Sequence, residues 1–321
     1  MLQYTLTRLG QMIIVLLVVS VIVFGVMNIT GDPVLLLVPP EATDAEIAMA
    51  REQLGLNRPL WEQYGIFINN AVHGNMGVSY MFKRPALDLI FERMPATMEM
   101  TVFAMIVAGV IAIPLGVYAG AYPDTIVSKM IMSASLLGIS LPSFWLGIML
   151  ILVFAVELNV MPSSGRGEVT SLFGINLSIL TLDGLQHITM PAATLAVGQM
   201  AMLIRLTRAG IMEVMRQDYI KFAKAKGMSA QRVLFGHALK NALIPVITVF
   251  GLQFGQMIAF ATITETIFAW PGMGKLLIDS IYRVDRPVIV AYLMLVAVLF
   301  VVINFLVDVI YTLIDPRIEV K

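Results

Sequence analysis

Asp218-Tyr219-Ile220-Lys221-Phe222-Ala223-Lys224-Ala225-Lys226-Gly227, running on to His237-Ala238-Leu239-Lys240-Asn241-Ala242-Leu243-Ile244-Pro245, is a basic, helix-prone island in an apolar chain. Apolar runs near 188–206 and 243–267 flank it. Each is close to the ~20 residues a membrane helix needs, so the island reads as a connection between two spans. Ala223 and Gly227 are four apart and share one face of a helix. Small residues there let another surface approach the backbone, with Tyr219 and Phe222 as anchors and Lys221, Lys224 and Lys226 solvating the rest. The island is therefore expected to dock a soluble protein, through a helix that also carries Ala225 and is followed by His237.

Working outward, the 321 residues are 59% hydrophobic and 13% charged. A soluble domain needs more polar surface than that, so most of the solvent is lipid. Net charge is zero, which gives no reason to expect a nucleic-acid partner. Cysteine is absent, excluding disulfides, thiolate metal sites and a cysteine nucleophile. The 23 Met and 24 Gly suit adaptable apolar surfaces and close helix packing.

Six apolar segments stand out, near 9–29, 97–119, 130–156, 188–206, 243–267 and 288–313. The expected fold class is an all-α polytopic membrane protein with six transmembrane helices. The first segment follows Arg8, has full span length and lacks a small-x-small cleavage site after it, so it reads as an uncleaved helix. Pro114, Pro142 and Pro191 lie within or at the start of three spans and free backbone groups there. Lys and Arg set the orientation. Arg205, Arg208, Arg216, Lys221, Lys224, Lys226, Arg232 and Lys240 fall in one connection, and Arg317 and Lys321 in the tail. Both termini and the 211–241 loop are expected on the cytoplasmic side, with 30–96 outside.

The 30–96 segment carries its own helix signals. Thr43-Asp44-Ala45-Glu46 is a capping box, Ile47, Ala50 and Leu54 follow at helical spacing, and Gly55 stops the helix. A second helix is expected from Pro59 through Trp61, Tyr64 and Phe67 towards Gly74. This loop is expected either to cap the pore mouth or to bind an external partner.

A few polar residues fall in or beside spans and are candidates for a translocation path or gate. Glu265 lies at the outer end of the fifth span. Asn304 and Asp308 are one turn apart in the sixth, and Arg205 and Arg208 lie near the inner end of the fourth. A polar link among the last four is expected, because a charge in lipid needs a partner. His73, His187 and His237 are scattered without metal-ligand spacing. Gly272-Met273-Gly274-Lys275 lacks the first Gly and the final Ser or Thr of a phosphate loop, since Ala269 and Leu276 stand there; it reads as a Trp-Pro-Gly turn into a short helix.

The island resembles the EAA loop of ABC importer permeases, in the form used by the peptide/nickel binding-protein-dependent branch. Lys221 and Phe222 stand where the general motif has Glu and Ala, so docking would rest chiefly on shape through Ala223 and Gly227. The likeness spans the chain: Gly31-Asp32-Pro33, Gln53-Leu54-Gly55-Leu56-Asn57-Arg58-Pro59-Leu60, Arg93-Met94-Pro95-Ala96-Thr97, Leu141-Pro142-Ser143-Phe144, Met161-Pro162-Ser163-Ser164-Gly165, the run from Glu265 to Gly274, Asn304 to Asp308, Tyr311 and Asp315-Pro316-Arg317. The resemblance implies a type I ABC importer permease (MetI-like) fold. It consists of a first helix at 1–29, an outer loop at 30–96, a five-helix core at 97–313 and a tail at 314–321. It also implies a paralogous permease partner in a heterodimer, two cytoplasmic ATPases holding ATP and Mg, and a periplasmic or lipid-anchored binding protein that delivers di- or oligopeptides. No cofactor is expected in this chain. Nickel chelates, glutathione or opines are alternative cargoes. A stand-alone secondary transporter or channel is disfavoured because no inverted repeat is evident and few charges lie in the spans. A membrane hydrolase is disfavoured because neither GxSxG nor a zinc motif occurs.

Overall fold

The computed structural model describes residues 2–29, 34, 42–53 and 55–314. Gly31-Asp32-Pro33 and residues 315–321, with Asp315-Pro316-Arg317 and Lys321, lie outside the described residues. Helices α1 (Leu2–Ile29), α2 (Asp44–Gln53), α3 (Leu60–Val72), α4 (Ala86–Ala121), α5 (Ile126–Ser140) and α6 (Ser143–Leu150) come first. The last passes into a π-helical turn, Ile151–Glu157. An antiparallel hairpin follows, β1 (Thr170–Leu172) and β2 (Ile175–Leu177), with Thr170 opposite Leu177. Then come α7 (Leu182–Val214), α8 (Asp218–Ala225), a π-helical segment Arg232–Ala238 that runs straight into α9 (Leu239–Ile267), α10 (Met273–Tyr282) and α11 (Arg286–Ile314). Among the described residues the regular elements other than the hairpin are helical, as expected.

Among the described residues five helices are long and apolar enough to cross a bilayer: Thr7–Asn28, Ala86–Ala121, Leu182–Val214, Arg232–Ile267 and Arg286–Val309. The third expected span is instead two arms, Ile126–Ser140 and Ser143–Glu157, bent by 102°. Pro142 is the cause. It has no N–H to extend the helix, and its ring disfavours helical backbone at Leu141, which sits at φ −80, ψ 125. The second span also begins earlier than expected, at Ala86. There Leu89 and Ile90 are buried while Glu92 is exposed, an amphipathic turn that carries the helix on beyond its apolar stretch.

The chain divides into two compact units, residues 1–93 with 276–301 and residues 94–275 with 302–321. In the first, Val23, Val290 and Met294 form a small core joined by Phe67 and Met76. Phe24 meets Tyr64 edge to face at 5.4 Å, and the Tyr64 hydroxyl hydrogen-bonds Ser20 at 2.8 Å. The capping box forms: Thr43 N–H donates to Glu46 Oε2 at 2.8 Å, and Glu46 N–H to Thr43 Oγ1 at 3.4 Å. Gly55 follows with φ +68, which only glycine adopts without strain. Asp285, fully buried, accepts the Ser79 hydroxyl and the Tyr80 N–H at 3.0 Å, closing the 78–85 turn on the start of α11. Burial pushes the nearby Tyr80 phenol above its ordinary pKa.

The second unit is packed through small residues. Met100, Ala104, Ala108 and Ala112 form a stripe on α4, buried in one cluster with Ile188, Ala192, Ala196 and Leu203 of α7 and Val246, Met257 and Ala261 of α9. Gly116 and Gly120 continue the stripe. A Cβ on Gly116 would stand 2.9 Å from the Ile204 carbonyl oxygen, and one on Gly120 2.8 Å from that of Arg208. Helices in lipid gain little from the hydrophobic effect between them, so this backbone-distance packing is what joins α4 to α7.

Candidate functional site

Helix α8 is rooted on one side and open on the other. Ile220 and Ala223 are buried in a cluster with Val117 of α4, Ile211 of α7, Val233 and Leu234 of the π-helical segment, and Ala242 of α9. Tyr219 and Phe222 are 43% and 62% exposed, so their apolar rings face out. Lys221 pairs with Asp218 at 2.8 Å, and Lys226 lies 4.6 Å over the Phe222 ring. Ala225 and His237 are exposed as well, and Phe235 of the π-helical segment adds a third outward ring. Asn241 Nδ2 donates to the Tyr219 hydroxyl at 2.7 Å and to the His237 carbonyl at 3.3 Å, tying α8 to the first turn of α9.

Two expectations about α8 are corrected. Ala223 does not offer its small side chain to a partner; it points into the chain's own core, because Ile220 and Ala223 are the apolar residues on the face that packs. Gly227 is not part of a flat patch either. It ends the helix at φ +78, its N–H donating to the Lys224 carbonyl at 2.9 Å while Met228 N–H reaches the Ala223 carbonyl at 3.3 Å. That is a Schellman stop, which needs a left-handed residue. The outward surface is therefore aromatic and cationic, carried by Tyr219, Phe222 and the lysines.

A second constellation lies at the other end of α4 and α9. Glu265 is fully buried. It accepts the Thr97 hydroxyl on one oxygen, and the Lys275 N–H at 2.8 Å on the other. Thr97 Oγ1 in turn accepts the Met273 N–H at 2.9 Å, and the Trp270 indole N–H donates to the Ala96 carbonyl at 2.9 Å. Glu265 thus serves the first turn of α10, where free N–H groups and the helix dipole favour an anion. Gly272 and Gly274 are required there: a Cβ on Gly272 would run into the carboxylate, and one on Gly274 would stand 2.7 Å from Thr262 Cα.

Glu99, two residues along α4 from Thr97, was not singled out from sequence. Its buried carboxylate takes Arg166 Nη2 at 2.6 Å and Nε at 3.1 Å on one oxygen, and the Ser178 and Ile179 N–H groups on the other. Arg166 also donates to the Asn176 carbonyl at 2.6 Å and lies 5.8 Å from the Trp270 ring. Gly165 N–H donates to the Phe268 carbonyl at 2.9 Å. The hairpin is pinned by these bonds, while Phe173 at its tip is 97% exposed. The available signal was an acid within an expected span, a position that demands a partner.

The other candidates are spread over α7 and α11. Arg205 is exposed and Asp308 half-buried. Among the described residues Arg208 Nε and Asn304 Oδ1 are buried without a hydrogen-bond partner, so neither atom joins the polar link expected among Arg205, Arg208, Asn304 and Asp308. His187 Nδ1 hydrogen-bonds the Asp183 carbonyl at 2.8 Å, and His73 caps its own helix through the Asn69 carbonyl. Among the described residues no cluster suited to a metal ion occurs.

Comparison with known proteins bears on this geometry. Residues 112–320 match the family described as binding-protein-dependent transport system inner membrane component, and residues 1–101 match its N-terminal counterpart. The chain is 40% identical to the di/tripeptide transport system permease protein DppB of Pseudomonas aeruginosa, over 99% of both chains. It is 39% identical to the oligopeptide transport system permease protein AppB of Bacillus subtilis, covering 99% of this chain and 100% of that one. It is 38% identical to the glutathione transport system permease protein GsiC of Escherichia coli, over the whole of both. Among solved structures, inward-facing MetNI methionine ABC transporter aligns at TM-score 0.56 and 17% identity, over 71% of this chain and 97% of that one. An amino acid ABC transporter with histidines aligns at TM-score 0.51 and 15% identity, over 72% and 95%. Those likenesses show the type I ABC importer permease fold. The chain belongs to the binding-protein-dependent transport system inner membrane component family, as an inner-membrane ABC transporter permease, a transport component rather than an enzyme.

Proposed function

We propose that this chain is one of two permease subunits of an ATP-driven importer of di- and oligopeptides, and that α8 is the helix an ATPase grips. Its partners in this reading are a paralogous permease, two cytoplasmic ABC ATPases that carry ATP and Mg, and a periplasmic or lipid-anchored binding protein. Both termini and α8 then face the cytoplasm, supported by the Lys and Arg residues between 205 and 241. The observation that carries the reading is the build of α8, with Tyr219 and Phe222 outward and Ile220 and Ala223 rooted among α4, α7 and α9. A helix held that way transmits a rigid-body push to the spans on which it rests. Arg208 and Asn304 are retained as gating candidates, because a partner subunit or a second state would satisfy their buried polar atoms.

The peptide cargo is supported by relatives named for dipeptide, di/tripeptide and oligopeptide transport. Glutathione is the second reading, carried by relatives so named at 38% identity. The test is reconstitution with the partner subunits and a labelled dipeptide. Uptake that needs ATP and is lost with Phe222→Ala is expected. Uptake by the chain alone, without any ATPase, overturns the reading.

A further inference from the structure

The α5–α6 break sits at membrane depth. Each arm of the bent pair, Ile126–Ser140 and Ser143–Glu157, has 15 residues. At 1.5 Å per residue that is about 22 Å, short of the ~30 Å hydrocarbon core, so neither arm crosses alone. The break exposes backbone groups that water or protein must satisfy, and non-helical backbone at this depth survives only in protein or beside a wet cavity. A notch of about 190 Å³ opens there, bounded by Leu141, Ser143, Thr194, Gln199, Gln256 and Phe260.

Its polar groups are amides and hydroxyls, with no charge. Gln199 lies midway along α7, 17 residues after Leu182 and 15 before Val214. Gln256 is exposed on α9, 11 residues before Ile267. Neither side chain hydrogen-bonds within the described residues, although Gln253, one turn away, bonds Met202 Sδ at 2.7 Å. Thr194 spends its hydroxyl on the Met190 carbonyl at 2.9 Å. Two uncommitted carboxamides in the spans, Gln256 exposed and Gln199 half-buried, are costly against lipid tails, so they face a polar surface.

We infer that this notch lines the translocation path and holds the backbone of a passing peptide, an inference that rests on the peptide-importer reading above. A carboxamide donates and accepts at once, which matches the C=O and N–H of any peptide unit whatever its side chain. The notch is too small to enclose a ligand of ordinary size, whose pockets run from about 300 Å³ upward. It is sized to hold one peptide unit, with Leu141 and Phe260 as walls for neighbouring side chains. Neutral lining fits cargo of varied charge.

The absence of cysteine makes the test clean. Gln199→Cys and Gln256→Cys are introduced singly, with Ile106→Cys on exposed α4 as control, in membranes carrying the partner subunits. Each variant is confirmed to reach the membrane and to co-purify with its partner subunits, then treated with a membrane-impermeant thiol reagent. Both glutamine positions are expected to react, several-fold slower with saturating alanyl-alanine and binding protein, while Ile106→Cys stays silent. Gln256→Leu is expected to lower uptake about tenfold and Gln256→Asn to restore most of it, as loss and return of a hydrogen-bonding amide predict. Cysteines that never react, or react equally with and without peptide, overturn the inference while wild-type peptide uptake stands. Wild-type membranes that take up another solute but no alanyl-alanine sink the peptide reading, and this inference with it.

Discussion

Arg166 lies 67 positions from Glu99 in sequence, yet puts Nη2 2.6 Å and Nε 3.1 Å from one oxygen of its carboxylate. The pair is nearly enclosed, with side-chain exposures of 14% and 1%. Breaking one half of a buried pair leaves a charge without compensation, which costs roughly 3–5 kcal/mol. Arg166→Met is therefore expected to lower the thermal stability of the purified chain by about that much and to open the 170–177 hairpin to protease. The double variant with Glu99→Leu should recover only part, because the Ser178 and Ile179 N–H groups then lose their acceptor. Full recovery in thermal scans would show that neither the ion pair nor the Ser178 and Ile179 bonds adds net stability to the hairpin.

Phe222 is expected to separate coupling from stability. It is 62% exposed, and surface substitutions usually change stability by less than about 0.5 kcal/mol. Phe222→Ala should leave the melting temperature of the chain in place and reduce capture of the ATPase partner in a pull-down. Normal capture by this variant would remove the ring from the docking surface.

Gly227 is expected to behave in the opposite way. Its φ of +78 penalises any L side chain by roughly 1 kcal/mol. Gly227→Ala should fray the end of α8, visible as faster amide exchange at Gly227 and Met228, whose N–H groups close the helix. Unchanged exchange would contradict the stop described above.

Gly120 tests the α4–α7 seam. A Cβ there would lie 2.7 Å from Ile211 Cβ and 2.8 Å from the Arg208 carbonyl, backbone that has nowhere to go. Overpacking of this kind costs about 1–3 kcal/mol or more. Gly120→Val should reduce the folded yield in detergent, judged by size-exclusion profile, whereas Gly198→Val, with open space around it, should not.

Glu46 gives a pH expectation outside the membrane. Hydrogen bonds from the Thr43 backbone and side chain hold its carboxyl below the usual 4.5. A depressed acid stabilises the fold above its unfolded pKa and loses that contribution as pH falls through the folded value. The start of α2 should stay protected in hydrogen exchange at pH 6 and open only as pH falls below the usual carboxylate range. Glu46→Gln should remove that dependence.

Much of the architecture was legible from local chemistry. Apolar length located the spans, the Thr43–Glu46 box and Gly55 bounded α2, and the polar island at 218–227 marked α8, because each signal lies within a few residues of the feature it produces. Pro142 announced a kink but not its 102° size, which depends on what packs beside α6.

What tertiary structure alone decided is which face of each element looks where. Ala223 and Phe222 are neighbours, and helical spacing allows either to face out; only the cluster of Val117, Ile211, Val233 and Ala242 turns Ala223 inward. Glu265 sat beside a span as an ionisable residue, and the fold made it the anion at the start of α10, by bringing Thr97 to one of its oxygens and the Lys275 N–H to the other. Glu99 and Arg166 could not be paired from sequence, since nothing local links an acid in a span to a base 67 positions on. The sequence alone determined that the chain lives in lipid and which stretches are helical, though not every helix end. Long-range packing determined which polar groups meet, because a buried polar group is stabilised by whatever partner the chain brings to it.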